Sequence, residues 1–253
     1  MTRTPGLIAL LLLIASPQPL SLPPRCFPAE HWDVAIKALG VTGAHARVDV
    51  DGECGTTPAS VRAEVETTRL VSFVWRIHDT LVTEMAPSGA SVSTTFREDE
   101  NEHADARVDR YAEGKVTTTW TTRGKERTVE VTAPPGTLDP LSVLMLLRGA
   151  VLANGEVYRV PIFSKDAVYD GTVLVVGRET ASFHGRAVRA IHLRATFLKD
   201  AKPSAVYAEI DLSDDALRLP LRVEAGTRYG HLVATLSDAT HLPAAPTSPS
   251  AWQ

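Results

Sequence analysis

One stretch limits what the rest of the chain can do: residues 138–155, LDPLSVLMLLRGAVLANG. Asp139 is placed to cap a helix, and Pro140 suits its first position. Leu141, Val143, Leu144, Leu146 and Leu147 follow, Gly149 offers a stop, and Asn154-Gly155 makes a turn. The spacing predicts a helix over about 138–149. Apolar side chains surround most of it, so it belongs inside the protein rather than on a surface with one wet face. A single buried helix needs cover, and the remaining sequence must supply it.

That remainder reads as strands. Residues 31–39 alternate, with Trp32, Val34, Ile36 and Ala38 on one face, and residues 44–50 alternate again after a glycine turn. Further candidates run at 61–69, 70–77, 79–85, 90–96, 106–111, 115–121 and 127–132. In the segment 70–77, Val71, Phe73, Trp75 and Ile77 face one way. Beyond the helix the pattern returns at 156–163, 171–178, 186–198, 205–212, 219–225 and 231–236, giving about fourteen strands to one helix. The expected fold is mainly β: one curved antiparallel sheet forming a half-barrel or incomplete barrel around the buried helix. The alternative is two β modules side by side. One β-rich domain is expected over 22–241, followed by a disordered proline- and serine-rich tail at 242–253.

The N-terminus points to export. Arg3 precedes an apolar run at 7–15, LIALLLLIA, which is short of the roughly 20 residues of a bilayer span and fits a signal peptide ending near residue 21. No later run spans a membrane by length, because Arg148 interrupts residues 141–152. The expected location is therefore the periplasm of a bacterium, or association with its outer membrane. The only cysteines, Cys26 and Cys54, suit a disulfide in that oxidising compartment. A net charge of −4 argues against nucleic acid as a partner. The densest charge run, REDENEHADARVD at 97–109, reads as a solvated loop or hairpin tip, with a cation or basic partner as the sharper alternative.

Catalytic motifs are absent. There is no G-x-S-x-G elbow, no H-x-H or H-E-x-x-H pair among the eight histidines, and no glycine-rich phosphate loop. No metal, cofactor or enzymatic activity is expected. Two polar residues stand out on the helix. Asp139 reads as its cap. Arg148 reads either as the partner of a carboxylate or as a cation at the rim of a cavity beside Leu144 and Leu147, where it would meet an anionic head group. The aromatic residues Trp32, Phe73, Trp75, Tyr158 and Phe163 read as core.

The C-terminal half resembles an exported bacterial family, domain of unknown function 3108. The resemblance rests on Asp139, Ser142, Leu147 and Arg148 of the helix, then Gly155, then Val175, Val176, Gly177 and Glu179. It continues in Ser213, Asp214, Asp215, Leu219 and Pro220, while the earlier half matches more loosely around Gly43. It implies structural roles for Asp139, Ser142, Gly155 and Asp214, and a periplasmic or outer-membrane-associated β protein without an established activity. The leading expectation is an envelope protein that binds a lipid, a lipoprotein-like ligand or an envelope protein in the concavity of its sheet. A scaffold with a filled core and an envelope hydrolase are the alternatives.

Overall fold

The computed structural model describes residues 18–19, 29–51, 59–101, 103–227 and 230–240. The apolar segment at 7–15, both cysteines (Cys26 and Cys54) and the tail at 242–253 lie outside the described residues.

The strands are β1 (Gln18–Pro19), β2 (Glu30–Ala38), β3 (Val41–Asp51), β4 (Ala59–Thr67), β5 (His78–Met85), β6 (Ser91–Glu100), β7 (His103–Ala112), β8 (Lys115–Thr122), β9 (Lys125–Thr132), β10 (Val157–Ser164), β11 (Ala167–Phe183), β12 (Arg186–Lys199), β13 (Lys202–Ser213), β14 (Pro220–Thr227) and β15 (Gly230–Ala239). Two helices interrupt them, α1 (Arg69–Ser72) and α2 (Pro140–Gly149). All strands belong to one sheet, in the order β1-β10-β11-β12-β13-β14-β15-β2-β3-β4-β5-β6-β7-β8-β9. Every pairing is antiparallel except the two-residue β1 against β10. The two halves of the chain are joined by β15 against β2, from Leu232 opposite Ala38 to Ala239 opposite Trp32. They therefore form one continuous open sheet rather than two modules, and that sheet does not close into a barrel.

The curved sheet wraps α2. Ten residues make a marginal helix in water, so packing must hold it. Its side chains divide between two clusters. Val143, Leu146 and Leu147 meet Val160, Val173, Val175, Ile191, Leu193 and Leu212. Met145, with the partly buried Leu141, meets Trp32, Val61, Met85, Leu221 and Leu236. Burying each such aliphatic side chain contributes about 1.5–3 kcal/mol. A third, smaller cluster sets Val116, Val131 and Tyr111 against Phe163 and Val168, so the two ends of the sheet face each other across the interior. Leu138 bridges to Ile162 just before the helix begins.

The segment 70–77 is not a strand. The pairing of β4 with β3 ends at Thr67 opposite Ala44, and Thr68 donates to the Gly43 carbonyl at 2.9 Å. There β3 turns away towards β2, so the chain has no partner to pair with. It makes the single turn α1 and a loop, and Phe73 and Trp75 are exposed rather than in the core. The charged run at 97–109 forms the outer ends of β6 and β7, joined at Asn101, but Arg107 and Asp109 at its end are buried.

Candidate functional site

The inner face of β5 to β7 is buried, with Thr83, Thr94 and Asp109 at most 2% exposed, and the concavity stays open as a trough only along β8 and β9. Antiparallel register sets its side chains in rows. One row runs Thr83, Thr94, Asp109, Thr118, Val129, and the next Leu81, Phe96, Arg107, Trp120, Arg127. Outside these lie Glu98, Asp105, Thr122 and Lys125.

At the buried end of these rows lies the N-terminus of α2. Asp139 Oδ1 accepts from the Leu141 and Ser142 amides at 2.9 and 3.1 Å and from the Thr83 hydroxyl at 2.9 Å. Its Oδ2 accepts from Ser91 at 2.7 Å and Ser142 at 2.5 Å. Above it Asp109 accepts from Thr118 at 2.9 Å and pairs with Arg107 Nε at 3.1 Å. Burial pushes the Asp109 carboxyl up, while Arg107 and Thr118 hold it down. Burial likewise raises the Tyr111 phenol, helped by the charge of Asp139. The Arg107 guanidinium lies between two rings, 5.4 Å from the centre of Phe96 and 5.1 Å from that of Trp120, as their shared row requires. Beyond this sandwich the trough opens into a cavity of about 690 Å³ lined by Trp120, Val129, Val131, Arg127, Lys125 and Asp166, among others.

An acidic shoulder borders the trough at β5 and β6. Burial raises Glu98, and the neighbouring Glu100 adds to the effect. Asp79 is pushed up to about 6, by burial first and then by Glu100 and Glu98, against the lowering hydrogen bond from the Asp99 amide. A carboxyl raised in the folded state stabilises fully below its unfolded value of about 4, and that contribution is lost as pH rises through about 6. Asp79→Asn keeps the acceptor without the charge. Its melting temperature is expected to exceed wild type well above pH 6 and to match it below about pH 4. Equal differences at both ends of a pH series of melts would contradict this assignment.

The residues singled out from sequence fall elsewhere. Arg148 is not at a rim. It is fully buried, donates to Glu30 at 2.6 Å and to the Leu217 and Arg218 carbonyls, and lies 4.6 Å from the Trp32 ring centre. A cation this close to a carboxylate and two carbonyls is neutralised from inside the protein. Leu147 is fully buried, and the partly buried Leu144 packs between the two main clusters, so both belong to the filled side. Asp139 and Ser142 are buried against Thr83 and Ser91, on the row that leads towards the trough. Gly155 takes φ +82° in the turn after α2, a conformation that favours glycine. Asp214 pairs with Arg189 at 2.7 Å and Arg178 at 3.4 Å, pinning the loop before β14.

Arg107, Asp109 and Trp120 went unnoticed in the sequence. The first two sit in a charge run whose alternating partners are Ala106 and Val108, and the polar face is the one turned inward. The ligand atoms of Glu179, His192 and Asp211 lie within 4.8 Å of one another. His192 is bonded there at both ring nitrogens, to Asp211 at 2.7 Å and Glu209 at 3.0 Å, while Arg194 holds Glu209 at 2.7 Å. This is an ion-pair ladder across neighbouring strands.

No helix among the described residues is long and apolar enough to cross a membrane. No curated protein matches the chain. Among solved structures it is similar to a beta-barrel-like protein of domain of unknown function DUF1849 from Brucella abortus. The TM-score is 0.60 at 12% identity, covering 83% of this chain and 96% of that one. This likeness concerns the fold alone. Residues 32–237 match a family described as protein of unknown function, DUF3108, which takes in the buried helix, the trough and the seam between β15 and β2, and the chain belongs to that family.

Proposed function

We propose that the protein is a non-enzymatic binding protein of the bacterial envelope, holding an amphiphile with an anionic end in the trough along β8 and β9. The observation that carries this reading is the half-filled concavity. On one side α2 leaves a dry core, with Leu147, Leu193 and Leu212 fully buried. On the other, about 690 Å³ stays open, within the range of roughly 300–1,000 Å³ typical of ligand sites. Trp120, Val129 and Val131 supply apolar wall, and at the mouth Arg123, Lys125 and Arg127 outnumber the carboxylates Glu126 and Asp166. The apolar segment at 7–15 supports export. The filled side favours a scaffold as the second reading.

Native mass spectrometry of protein purified from the envelope fraction tests the proposal. Wild type is expected to carry an extractable amphiphile, and Val129→Trp, which fills the trough, to carry at least about tenfold less. Wild type free of any bound mass, or equal loading of the variant, would leave the scaffold reading in possession.

A further inference from the structure

On the outer face of the sheet one histidine is ringed by carboxylates. His192 lies on β12 between the fully buried Ile191 and Leu193, so its ring points away from α2 and the trough. Three carboxylates on the two flanking strands reach it: Glu179 of β11, and Glu209 and Asp211 of β13. The register is irregular on both sides. β11 bulges at Val176, which sets Gly177 opposite His192, with open space where a side chain would stand, and Glu179 two residues further on. β13 shifts against β14 just beyond Asp211. Such bulges re-aim side chains and gather beside functional sites.

Ion pairing accounts for one side of this ring and not for the other. Arg194 donates to Glu209 Oε1 at 2.7 Å. Glu209 Oε2 is buried, 3.0 Å from His192 Nε2, and has no other hydrogen-bond partner among the described residues. A neutral imidazole has one proton to give, and this oxygen assigns it to Nε2. Nδ1 then turns a lone pair towards two carboxylates, Asp211 Oδ1 at 2.7 Å and Glu179 Oε1 at 3.8 Å. A second proton on the ring would satisfy Asp211 alone. Among the described residues Glu179 has no lysine or arginine partner, and Arg222 pairs with Glu224 and stays 3.9 Å from Asp211.

One cation shared by all three groups resolves this. Their ligand atoms lie within 4.8 Å of one another. Zinc at about 2.0–2.1 Å from each donor sets tetrahedral neighbours about 3.3 Å apart, between the two distances at Nδ1. Glu209, held by Arg194, stands where a carboxylate fixes the far nitrogen of a metal-bound imidazole. His31 is a contrast: Asp49 meets its Nδ1 and Asp33 its Nε2, so neither nitrogen faces two carboxylates.

We propose that Glu179, His192 and Asp211 bind a zinc ion, with Glu209 orienting the imidazole and the fourth position open to water beside the half-exposed Glu179. The site is remote from the trough and does not depend on what the trough holds.

Isothermal titration of zinc chloride into the chelator-stripped, untagged full chain tests the proposal. Wild type is expected to take up zinc and to melt at a higher temperature with it than without. Loss of an outer partner costs about 10–100-fold in metal affinity, so Glu209→Gln is expected to weaken binding about tenfold and His192→Asn at least about 100-fold. Glu179→Gln is expected to weaken it at least about tenfold with an unchanged zinc-free melting temperature, which separates lost binding from lost folding. His31→Asn is expected to bind as wild type does. All variants keep Cys26 and Cys54, so the differences report on the cluster. No zinc uptake by wild type overturns the proposal. So does uptake that survives both Glu179→Gln and His192→Asn, or that depends on His31 instead; the cluster would then be an ion-pair ladder and nothing more.

Discussion

Glu30→Ala is expected to lower stability by about 3–5 kcal/mol, read from the midpoint of urea unfolding, because it strands a buried cation. Arg148 and Glu30 are among the least exposed side chains in the protein, at 0% and 5%. Burial pulls the guanidinium below its ordinary value, and the hydrogen bond and charge of Glu30 are the largest effects opposing it. Without that carboxylate the Leu217 and Arg218 carbonyls and the Trp32 ring still face the cation, and the smaller effect of the Asp215 charge offsets its burial only in part. Removing both charges, as in Glu30→Gln/Arg148→Met, is expected to recover about half of the loss, since apolar replacement of a buried pair is often close to neutral. Full recovery is not expected, because the two carbonyls lose their donor. If Glu30→Ala cost less than about 1 kcal/mol, the pair would be behaving as a surface ion pair and its burial would count for little.

Asp139→Ala is expected to cost a similar amount, about 3–5 kcal/mol, through a different mechanism. The loss of an N-cap accounts for about 1 kcal/mol. The rest comes from the hydroxyls of Thr83, Ser91 and Ser142, all buried and all donating to this one carboxylate. A buried donor left without an acceptor costs about 1–3 kcal/mol, and hydroxyl rotation moderates the sum. Asp139→Asn keeps one carbonyl oxygen and is expected to cost about half as much. Hydrogen exchange at the Leu141 and Ser142 amides checks the local part: protection should fall in both variants, more in alanine. Equal costs for the two substitutions would show that the cap alone matters and the buried hydroxyls do not.

The helix was legible because its signals agree with one another. Asp139, Pro140 and Gly149 mark its ends, and an apolar surface on every side requires burial. Most strands were legible from period-two alternation, and a single curved sheet followed from the need to cover one helix. The same rule failed at residues 70–77, where the apolar residues are nearly continuous, so alternation carries little information. What decides there is a long-range fact, that β3 has turned away by the time the chain leaves Thr67. Hydrophobicity marks what avoids water without saying whether the cover lies inside the molecule. The trough was hidden for the opposite reason. Arg107 and Asp109 look solvated in a run of charges, and only the cross-strand register with Phe96, Trp120 and Thr118 brings them inside. Arg148 takes the carboxylate partner that was one of its two readings, but sequence could not name that partner, because Glu30 is distant along the chain and lies at the start of a strand.

The seam between β15 and β2 has a consequence for how the chain comes to be folded. Trp32 pairs opposite Ala239, so a contact at the heart of the core joins nearly the first and last described residues. Such long-range closure is slow, and it cannot begin until the final strand has been synthesised. Until then β2 has β3 on one side and a bare edge on the other, with Trp32 and Val34 open to other chains. The polar His31 and the charged Asp33 and Lys37 along that edge act as gatekeepers during the wait, discouraging a foreign strand from taking the place reserved for β15.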